Sequence, residues 1–434
     1  MNFTEAMEYI SETAKFGVVP GLDTVRELCR RAGDPQDDLR FVHVAGSNGK
    51  GSVSAYVASV LTAGGYRVGR YISPAVFDYR ERIQVNGRYI AKAALCRYVE
   101  QLKSACDGMT EEGFSHPTSF ELETVMGFLY FRDKKCDIVV LETGMGGELD
   151  STNIVKNTCV AVLTSISRDH MRFLGKTLPE IAAQKAGIIK KGCHVITVEQ
   201  KAEVMEVITK KAAETGCSLT VAGKSMASYV RYGLEKQSFD YGGLRKVEIT
   251  LAGQYQIENA VAALEVLKAL GQAGFPVAEE KLRRGMKEAE WPGRFTVIGR
   301  KPYFIVDGAH NEDGADKLAQ SLEFYFKGRR MVYIMGMLKD KEYDKVVART
   351  HSLADQIITV TPPENPRALS AYDLAREIAS VHAGVTAVDS LEEAVEMSRL
   401  LAGKDDVIVA FGSLSFLGRL MEIAGGQKKS KQPV

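Results

Sequence analysis

The segment Phe41-Val-His-Val-Ala-Gly-Ser-Asn-Gly-Lys-Gly-Ser52 is the most informative part of this chain for predicting its architecture. Its first five residues form a short, mostly apolar run that predicts a buried strand over 41–45. A glycine-rich loop follows and leads into a predicted helix over 53–62. Backbone N–H groups of such a loop, together with the helix N-terminus, can hold phosphate oxygens. A glycine-rich surface turn is the alternative, and it leaves Lys50 and Ser52 at the helix start to be explained.

This loop departs from the standard P-loop pattern at two places. Val44 stands where the pattern has glycine, and Gly51 separates Lys50 from Ser52. The strand-loop-helix context still favours nucleotide binding, with Lys50 at the β- and γ-phosphates and Ser52 as a magnesium ligand. The sequence therefore predicts ATP and Mg²⁺ as the bound groups.

Outward from this loop, short apolar runs alternate with helical patterns, which is typical of α/β folds with mostly parallel sheets. At 434 residues the chain is long enough for more than one domain. We predict a P-loop-type domain over 1–297 that includes a small antiparallel element near 228–251, and a smaller Rossmann-like α/β domain over 298–434 with a disordered tail at 425–434. The predicted strands are 41–45, 67–72, 137–142, 159–165, 194–198, 303–306, 331–335, 356–360 and 407–410.

Composition excludes several classes of function. Lys and Arg total 56 against 55 Asp and Glu, a formal charge of +1 that gives no electrostatic footprint for nucleic acid or an anionic membrane. No apolar run has the length of a membrane span, and the start does not resemble a signal peptide. Seven cysteines without a Cys-x-x-Cys pair indicate free thiols. We therefore expect a cytoplasmic protein whose partners are small molecules. We also expect a monomer, although the sequence itself does not give the oligomeric state.

Two predicted strands deliver candidate metal ligands to one edge of the sheet. Glu142 ends the strand over 137–142, and His170 follows the next strand. Because the carboxyl ends of parallel strands face the ligand crevice, the two side chains can share a metal ion. A capping or ion-paired glutamate and a structural histidine are the alternatives.

Lys185 stands where a lysine is not expected. Thr177 and Glu180 form a capping box that predicts a helix start, and the apolar stripe of that helix has Lys185 in its middle. Burial disfavours an ammonium group, so either an acid pairs with it or the amine is neutral. A neutral amine can react with carbon dioxide to give an anionic carbamate that binds metal. From the residues alone, a simple ion pair is the favoured explanation.

An ordered set of motifs along nearly the whole chain resembles the Mur ligase superfamily, and within it the folylpolyglutamate synthase family with its bifunctional dihydrofolate synthase form. Each motif is weakly specific, but their order is highly specific. The motifs are Gly21-Leu-Asp23, Gly33-Asp-Pro-Gln36, 43–52, Ser73-Pro74, Arg80-Glu-Arg-Ile83, Val85-Asn-Gly87, Glu142-Thr-Gly-Met-Gly-Gly147, Leu149-Asp-Ser-Thr-Asn153, Asp169-His170, Gln184-Lys-Ala-Gly-Ile188, Gly253-Gln-Tyr-Gln256 with Asn259, Trp291-Pro-Gly-Arg-Phe295 and Asp307-Gly-Ala-His-Asn311.

The resemblance implies an ATP-dependent ligase that adds L-glutamate to folates through an acyl phosphate. It implies four catalytic residues, namely Lys50, Glu142, His170 and Lys185, the last as a carbamate. The implied nucleotide contacts are Ser47, Asn48, Gly49, Lys50, Gly51, Ser52, Asn259, Arg294 and Asp307. The implied metal ligands are Ser52, Ser73, Glu142, His170 and Lys185. The implied substrate contacts are Thr118, Ser119, Phe120, Glu121, Leu149, Asp150 and Ser151, with His310 in the cleft between domains.

Each implied role has a structural alternative. Glu121 can be a solvated helix residue, Trp291-Pro-Gly-Arg294 a linker with a buried aromatic, and Asp307 an Asx cap at a strand-to-helix turn.

Two departures from the family pattern concern the substrate rather than ATP. Many relatives carry His where Ala75 stands and Arg where Glu148 stands. Whether dihydropteroate is accepted, and how long a glutamyl chain is built, therefore stays open.

Three rival functions remain. A Mur ligase of the peptidoglycan type is expected to carry a further N-terminal domain, for which a phosphate loop beginning by Gly46 leaves no room. A P-loop ATPase without ligation, or a nucleotide-regulated binding module, would leave the buried Lys185 unexplained.

Overall fold

The computed structural model describes residues 1–17 and 21–425. The chain forms two compact units, neither of which is continuous in sequence. The first unit contains Met1–Ser73, Tyr79–Met226 and Glu258–Ala289. The second unit contains Pro74–Asp78, Ala227–Ile257 and the described part of Glu290–Val434.

An eight-stranded sheet forms the centre of the first unit. Its spatial order is β4-β3-β2-β5-β1-β6-β7-β8, with parallel pairing from β2 to β8 and antiparallel pairing of β3 with β2 and β4. The strands are β1 (Phe41–Ala45), β2 (Val68–Tyr71), β3 (Ile83–Val85), β4 (Arg88–Tyr89), β5 (Ile138–Glu142), β6 (Thr158–Leu163), β7 (His194–Val198) and β8 (Ser218–Ala222).

Among the described residues, ten α-helices lie wholly or mostly in the first unit. They are α1 (Phe3–Thr13), α2 (Asp23–Arg31), α3 (Lys50–Ala63), α4 (Lys92–Glu111), α5 (Ser119–Asp133), α6 (Met171–Leu174), α7 (Leu178–Ala186), α8 (Ala202–Glu214), α9 (Gln256–Gln272) and α10 (Glu279–Glu288). Capping boxes begin α1, α5 and α7, and that of α7 confirms the predicted pair Thr177 and Glu180. Helix α3 is buried over most of its length, which suits a helix that follows the central strand.

The strand order places a topological switch point beside β1. From β1 the chain crosses to β2, returns to β5 on one side of β1, and then continues to β6 on the other side. In open α/β sheets, ligands bind outside the carboxyl ends of the strands at such a point. The ends of β1, β5 and β6 are therefore where the site is expected.

The second unit contains two sheets. The three-stranded sheet is antiparallel, and the six-stranded sheet has the order β12-β13-β17-β14-β15-β16 with only β12 antiparallel among the described residues. The strands are β9 (Ala227–Arg231), β10 (Gln237–Tyr241), β11 (Leu244–Ile249), β12 (Thr296–Arg300), β13 (Tyr303–Val306), β14 (Met331–Met335), β15 (Gln356–Val360), β16 (Val385–Val388) and β17 (Val407–Phe411). The helices are α11 (Glu312–Phe326), α12 (Tyr343–Thr350), α13 (Ala371–Ala379), α14 (Leu391–Leu401) and α15 (Leu414–Gly425).

The predicted fold class is confirmed by these sheets: a mostly parallel sheet, a small antiparallel element and a separate α/β sheet. The compact units nevertheless divide the chain differently from the predicted boundary at 297, because β9–β11 belong to the second unit. The side chain of Gln237 donates to the carbonyl oxygens of Leu251 and Gly253, and Tyr325 donates to Gln237, which ties the hairpin to that unit. The predicted tail lies outside the described residues, except that Gly425 ends α15.

Candidate active site

Residues 46–49 form the phosphate loop between β1 and α3, and two of its glycines have no room for a side chain. A Cβ on Gly46, whose φ is +155°, would lie 1.9 Å from the hydroxyl oxygen of Thr164. A Cβ on Gly49, whose φ is +90°, would lie 2.7 Å from the side-chain oxygen of Asn259. The loop is therefore packed against the residue after β6 and against α9, and both positions require glycine.

The loop is held in shape by bonds to the segment after β6. The backbone N–H groups of Ser47 and Asn48 donate to the carbonyl oxygen of Ser165 at 2.7 and 3.2 Å. The Ser47 hydroxyl donates to the carbonyl oxygen of Ser167 at 2.9 Å and accepts from its N–H at 3.0 Å. Lys50 donates to the carbonyl oxygen of Gly46 at 3.0 Å, so its ammonium lies over the loop.

A buried carboxylate lies beside this lysine. Glu142 ends β5, is 4% exposed, and has a carboxylate oxygen 4.0 Å from Lys50 Nζ. Arg70, on the other neighbour of β5, donates to the carbonyl oxygen of Gly51 at 3.3 Å. Burial lowers the pKa of Arg70 to about 10, and the negative charge of Glu142 opposes that shift, so the guanidinium stays charged at neutral pH. Glu142 is thus placed among cations at the edge of the phosphate loop.

Lys185 is buried, as its place in an apolar stripe predicts. The residue is 3% exposed, and its Nζ donates to the carbonyl oxygen of Gly46 at 2.9 Å. That oxygen is also the acceptor for Lys50. Two amines therefore converge on one carbonyl oxygen of the phosphate loop, and α7 brings an interior lysine to the edge of the sheet where Glu142 ends.

His170 and Ser73 belong to the same unit as this cluster. His170 has a left-handed backbone with φ of +52°, precedes α6, and has its ring Nε2 3.8 Å from a carboxylate oxygen of the buried Asp169. Within 1–17 and 21–425, no group of three or more His, Cys, Asp or Glu side chains is arranged to hold a metal. Magnesium needs no such group, because it is usually held by one or two carboxylates together with phosphates and water. The buried Glu142 beside the phosphate loop fits that requirement.

The first predicted substrate segment packs against the loop after β5. The Phe120 ring occupies the space next to Gly144, where an added Cβ would approach the ring to 2.5 Å. Glu121 is not the solvated residue of the alternative reading: it is buried, and its carboxylate accepts from the N–H of Thr118 at 2.8 Å and from its hydroxyl at 2.9 Å. Burial raises the Glu121 pKa, and the Thr118 bonds oppose the shift. The Glu121 carboxylate therefore caps the N-terminus of α5.

The second predicted substrate segment contains one exposed and one buried side chain. Leu149 is 46% exposed, whereas the Asp150 carboxylate is buried and bound by its own loop. Asp150 accepts from the N–H of Met145 at 2.7 Å, and from the N–H and hydroxyl of Thr152 at 3.0 and 2.5 Å. Burial raises the Asp150 pKa, and these bonds oppose the shift. Leu149 is therefore available for contact, while Asp150 organises the loop.

Three predicted residues come together in the second unit. Asp307 follows β13 and accepts from the N–H of Phe295 at 2.7 Å, the N–H of Ala309 at 2.8 Å and the hydroxyl of Tyr255 at 3.1 Å. Burial raises the Asp307 pKa, while the nearby Arg294 lowers it. Arg294 lies against Gly308, where an added Cβ would be 2.3 Å from a guanidinium nitrogen.

His310 completes this group. Its Nδ1 donates to the carbonyl oxygen of Gly308 at 2.8 Å, so that nitrogen carries the proton.

Sequence reasoning missed two polar side chains within the strands that lead to this site. Arg70 is a partly buried residue of β2, and His43 is a fully buried residue of β1. A polar side chain inside a mostly buried strand was the signal that could have identified each of them.

Comparison with known proteins defines the class. A model of the Mur ligase middle domain matches residues 44–267, and a model of the Mur ligase glutamate ligase domain matches residues 293–414. Together with the phosphate loop and its buried lysine, these matches define the protein as a Mur-type ligase.

Full-length relatives give the particular family. The chain is 34% identical over 424 residues to the dihydrofolate synthase/folylpolyglutamate synthase of Bacillus subtilis, covering 96% of this chain and 97% of the relative. It is 32% identical to the folylpolyglutamate synthase of Lacticaseibacillus casei, covering 99% and 100%. The chain belongs to the folylpolyglutamate synthase/dihydrofolate synthase family.

Solved structures agree with this assignment. The Mycobacterium tuberculosis folylpolyglutamate synthase complexed with ADP and AMPPCP has a TM-score of 0.89 at 28% identity, covering 99% of this chain and 100% of that one. The Escherichia coli FolC protein in complex with DHPP and ADP has a TM-score of 0.85 at 29% identity, covering 98% of both chains. The prediction of an ATP-dependent ligase is therefore confirmed, and the comparisons do not support the rival ATPase or binding module. Among the described helices, none has the length and apolar character to span a membrane.

Proposed function

We propose that the protein activates a folate carboxylate with ATP and joins it to the amine of L-glutamate. Family membership supports this substrate class, since the relatives are named for folate and glutamate chemistry. The observation that carries the proposal is the convergence of Lys50 and Lys185 on the carbonyl oxygen of Gly46, beside the buried Glu142. A simple nucleotide-binding module has no need for a second, interior amine at its phosphate loop.

The reaction has two steps. The terminal phosphoryl group of ATP passes to a carboxylate oxygen, so that ADP leaves and an acyl phosphate forms. The glutamate amine then attacks the activated carbonyl carbon, an amide bond forms, and inorganic phosphate and a proton leave. Because phosphoryl transfer has a loose transition state, the protein mainly positions the reactants and offsets charge. Lys50 supplies positive charge at the phosphates, and the packed loop fixes their place.

Magnesium ligation stays a proposal for this chain. Bound Mg²⁺ would offset the negative charge of the phosphates and orient them. The residues that would hold it are Ser52, Ser73, Glu142, His170 and the carbamate of Lys185. Glu142 supplies the carboxylate that such a site requires.

We propose that Lys185 reacts with carbon dioxide, so that its amine becomes a carbamate and a proton is released. Burial at 3% exposure disfavours an ammonium, and an anionic carbamate near the phosphate loop can bind a divalent ion. Protein equilibrated with ¹³C-bicarbonate should show a carbamate ¹³C NMR signal that is absent from Lys185→Ala, and this variant should lose ligation. A wild-type spectrum identical to that of the variant, or full activity in the variant, would refute the carbamate.

The folate acceptor is proposed to contact residues 118–121 and 149–151 through part of their side chains. The carboxylates of Glu121 and Asp150 accept hydrogen bonds from backbone N–H groups of their own segments. The folate acceptor would therefore contact the Phe120 ring, the exposed Leu149 and neighbouring backbone groups. Arg294 and Asp307 remain predicted nucleotide contacts, and His310 a predicted substrate residue.

One set of incubations tests the function. The protein is mixed with ATP, Mg²⁺ and L-glutamate, with either tetrahydrofolate or dihydropteroate as the acceptor, and phosphate release and product mass are measured. Ligation requires phosphate release that depends on both organic substrates and a product heavier by one glutamyl residue. Lys50→Met should abolish it, whereas the matched exposed lysine variant Lys210→Met should not. Phosphate release indifferent to both organic substrates would instead indicate an ATPase.

Acceptor range, location and assembly are settled by separate measurements. Direct comparison of the two acceptors tells a monofunctional from a bifunctional enzyme. We propose that the protein is a cytoplasmic monomer, which cell fractionation and light scattering of the purified protein test. A molecular mass equal to that of a dimer would refute the proposal that the protein is a monomer.

A further inference from the structure

A histidine in the central strand has no role in the reaction outlined above. His43 is the middle residue of β1 and is fully buried, although the rest of that strand is apolar. Its Nε2 lies 2.9 Å from the hydroxyl oxygen of Thr152. Burying a polar ring is unfavourable unless its hydrogen bonds are satisfied, so this contact calls for an explanation.

The hydrogen bonds around Thr152 determine which nitrogen of the His43 ring carries the proton. The Thr152 hydroxyl donates to the carboxylate of Asp150 at 2.5 Å, because an ionised carboxylate can only accept. The same hydroxyl must therefore accept from His43, which places the ring proton on Nε2. The other ring nitrogen, Nδ1, is buried and has no hydrogen-bond partner in the described structure, which agrees with an unprotonated Nδ1 and a neutral ring.

The chain of bonds continues into the proposed acceptor loop. Asp150 also accepts from the N–H groups of Met145 and Thr152, so its carboxylate draws residues 145–152 into one turn. At the other end of the chain, His43 stands three residues before Gly46, the first residue of the phosphate loop. One buried row of hydrogen bonds thus links the strand that carries the phosphate loop to the loop that carries Leu149.

We propose that His43 is a positioning residue that, through Thr152 and Asp150, holds the acceptor-substrate loop over residues 145–153 in register with the phosphate loop. The role rests on the proposed function, because it assumes that this loop contacts the folate acceptor. Its loss should therefore weaken acceptor binding and loosen the loop, while ATP binding is left largely unchanged.

Two substitutions at position 43 separate the hydrogen bond from the packing. His43→Met fills a similar space without a donor, whereas His43→Gln places an amide N–H near the position of Nε2. We expect His43→Met to raise the KM for the acceptor, measured with tetrahydrofolate, by about tenfold with the KM for ATP within about twofold. His43→Gln should recover most of the loss. Equal increases in both KM values, or an unchanged acceptor KM, would overturn the proposal.

Hydrogen exchange provides a readout that does not depend on catalysis. Amide exchange in residues 145–153, measured by mass spectrometry on the full chain, should be about tenfold faster in His43→Met and close to wild type in His43→Gln. The matched control is His194→Met, since His194 begins β7 and its Nε2 lies 3.0 Å from the Thr220 hydroxyl. Unchanged exchange at 145–153 in His43→Met, or an equal change in the control, would refute the positioning role.

A second pair of variants applies if His43→Met does not fold. Thr152→Val breaks the same row of bonds from the other side, and Thr152→Ser keeps the hydroxyl. Faster exchange at 145–153 in the valine variant alone supports the proposal, and equal exchange in both overturns it. Failure of the wild type to release phosphate with folate would count against the proposed function only, because the exchange measurements still decide the role of His43.

Discussion

Lowering the pH should reduce the free energy of unfolding of the first unit, because the buried ring of His43 resists protonation in the folded state. Burial lowers the pKa of His43 to about 3 from an ordinary value of 6.5, with a smaller contribution from the positive charge of Lys190. A group whose folded pKa is depressed contributes stability that is complete above its unfolded pKa and is lost as the pH falls toward the folded value. The sensitive window for His43 therefore runs from about pH 6.5 down to about pH 3.

The size of the effect follows from proton linkage. Within that window the unfolded chain binds one proton that the folded chain does not, which costs about 1.4 kcal/mol for each pH unit. Between pH 7 and pH 5 the free energy of unfolding should fall by about 2 kcal/mol from this ring alone. Glutamine does not titrate, so His43→Gln should lack this component while keeping a donor to Thr152.

The assay is urea unfolding of the wild type and His43→Gln at pH 7, 6 and 5. Trp291 is the only tryptophan and lies in the second unit, so its fluorescence does not report on β1. Hydrogen exchange of the β1 amides, measured along the urea series, reports on the unit that holds His43, whereas far-UV circular dichroism reports on both units together. The stability difference between the two proteins should change by about 2 kcal/mol across this range. Parallel loss of stability in both proteins would refute the assignment of a neutral, buried ring.

Three further predictions concern the loops around the phosphate site. Glu142→Gln should shift the magnesium titration of ligation to higher concentrations, and an unchanged titration would exclude Glu142 as a ligand. Gly46→Ala should weaken ATP binding at least about tenfold because its Cβ would clash with Thr164, the residue after β6, whereas Gly271→Ala, with no neighbour closer than 4.0 Å, should bind ATP normally; equal binding by the two variants would contradict the packing argument. Glu148→Arg should alter the ratio of KM values for dihydropteroate and tetrahydrofolate with little change for ATP, and a constant ratio would show that this departure does not set acceptor preference.

The sequence predicted the interior strands closely and missed the edges of the sheets. The strands β1, β7, β13, β14 and β15 begin and end at the predicted residues, because each is a short apolar run buried inside a sheet. Four of the missed strands, β4, β8, β12 and β16, are edge strands, where fewer side chains are buried and the hydrophobic pattern is weak. The fifth, β3, has only three residues. Strand order was unreadable because it depends on pairing between residues far apart in the chain.

The same distinction applies to the site. Lys185 was identifiable because a charge within an apolar stripe violates a local pattern, and Glu142 because it ends a buried strand. The contact between Lys185 and the Gly46 carbonyl was not identifiable, since the two residues lie 139 positions apart in the chain. His43 carries a local signal of the same kind as Lys185, but its meaning depends on Thr152, which only the folded chain brings to it.

The bond between Lys185 and Gly46 has a consequence for the proposed carbamate. A carbamate nitrogen keeps one N–H, so carbamylation can preserve donation to the Gly46 carbonyl while the side chain changes from a cation to an anion. The cations Lys50 and Arg70 would then have a further anionic group near them besides Glu142 and Glu81, which favours a divalent ion at this edge of the sheet. Magnesium affinity, measured by calorimetry in the presence of a nonhydrolysable ATP analogue, should therefore rise with bicarbonate in the wild type and not in Lys185→Ala. The same bicarbonate dependence in both proteins would separate metal binding from the buried lysine.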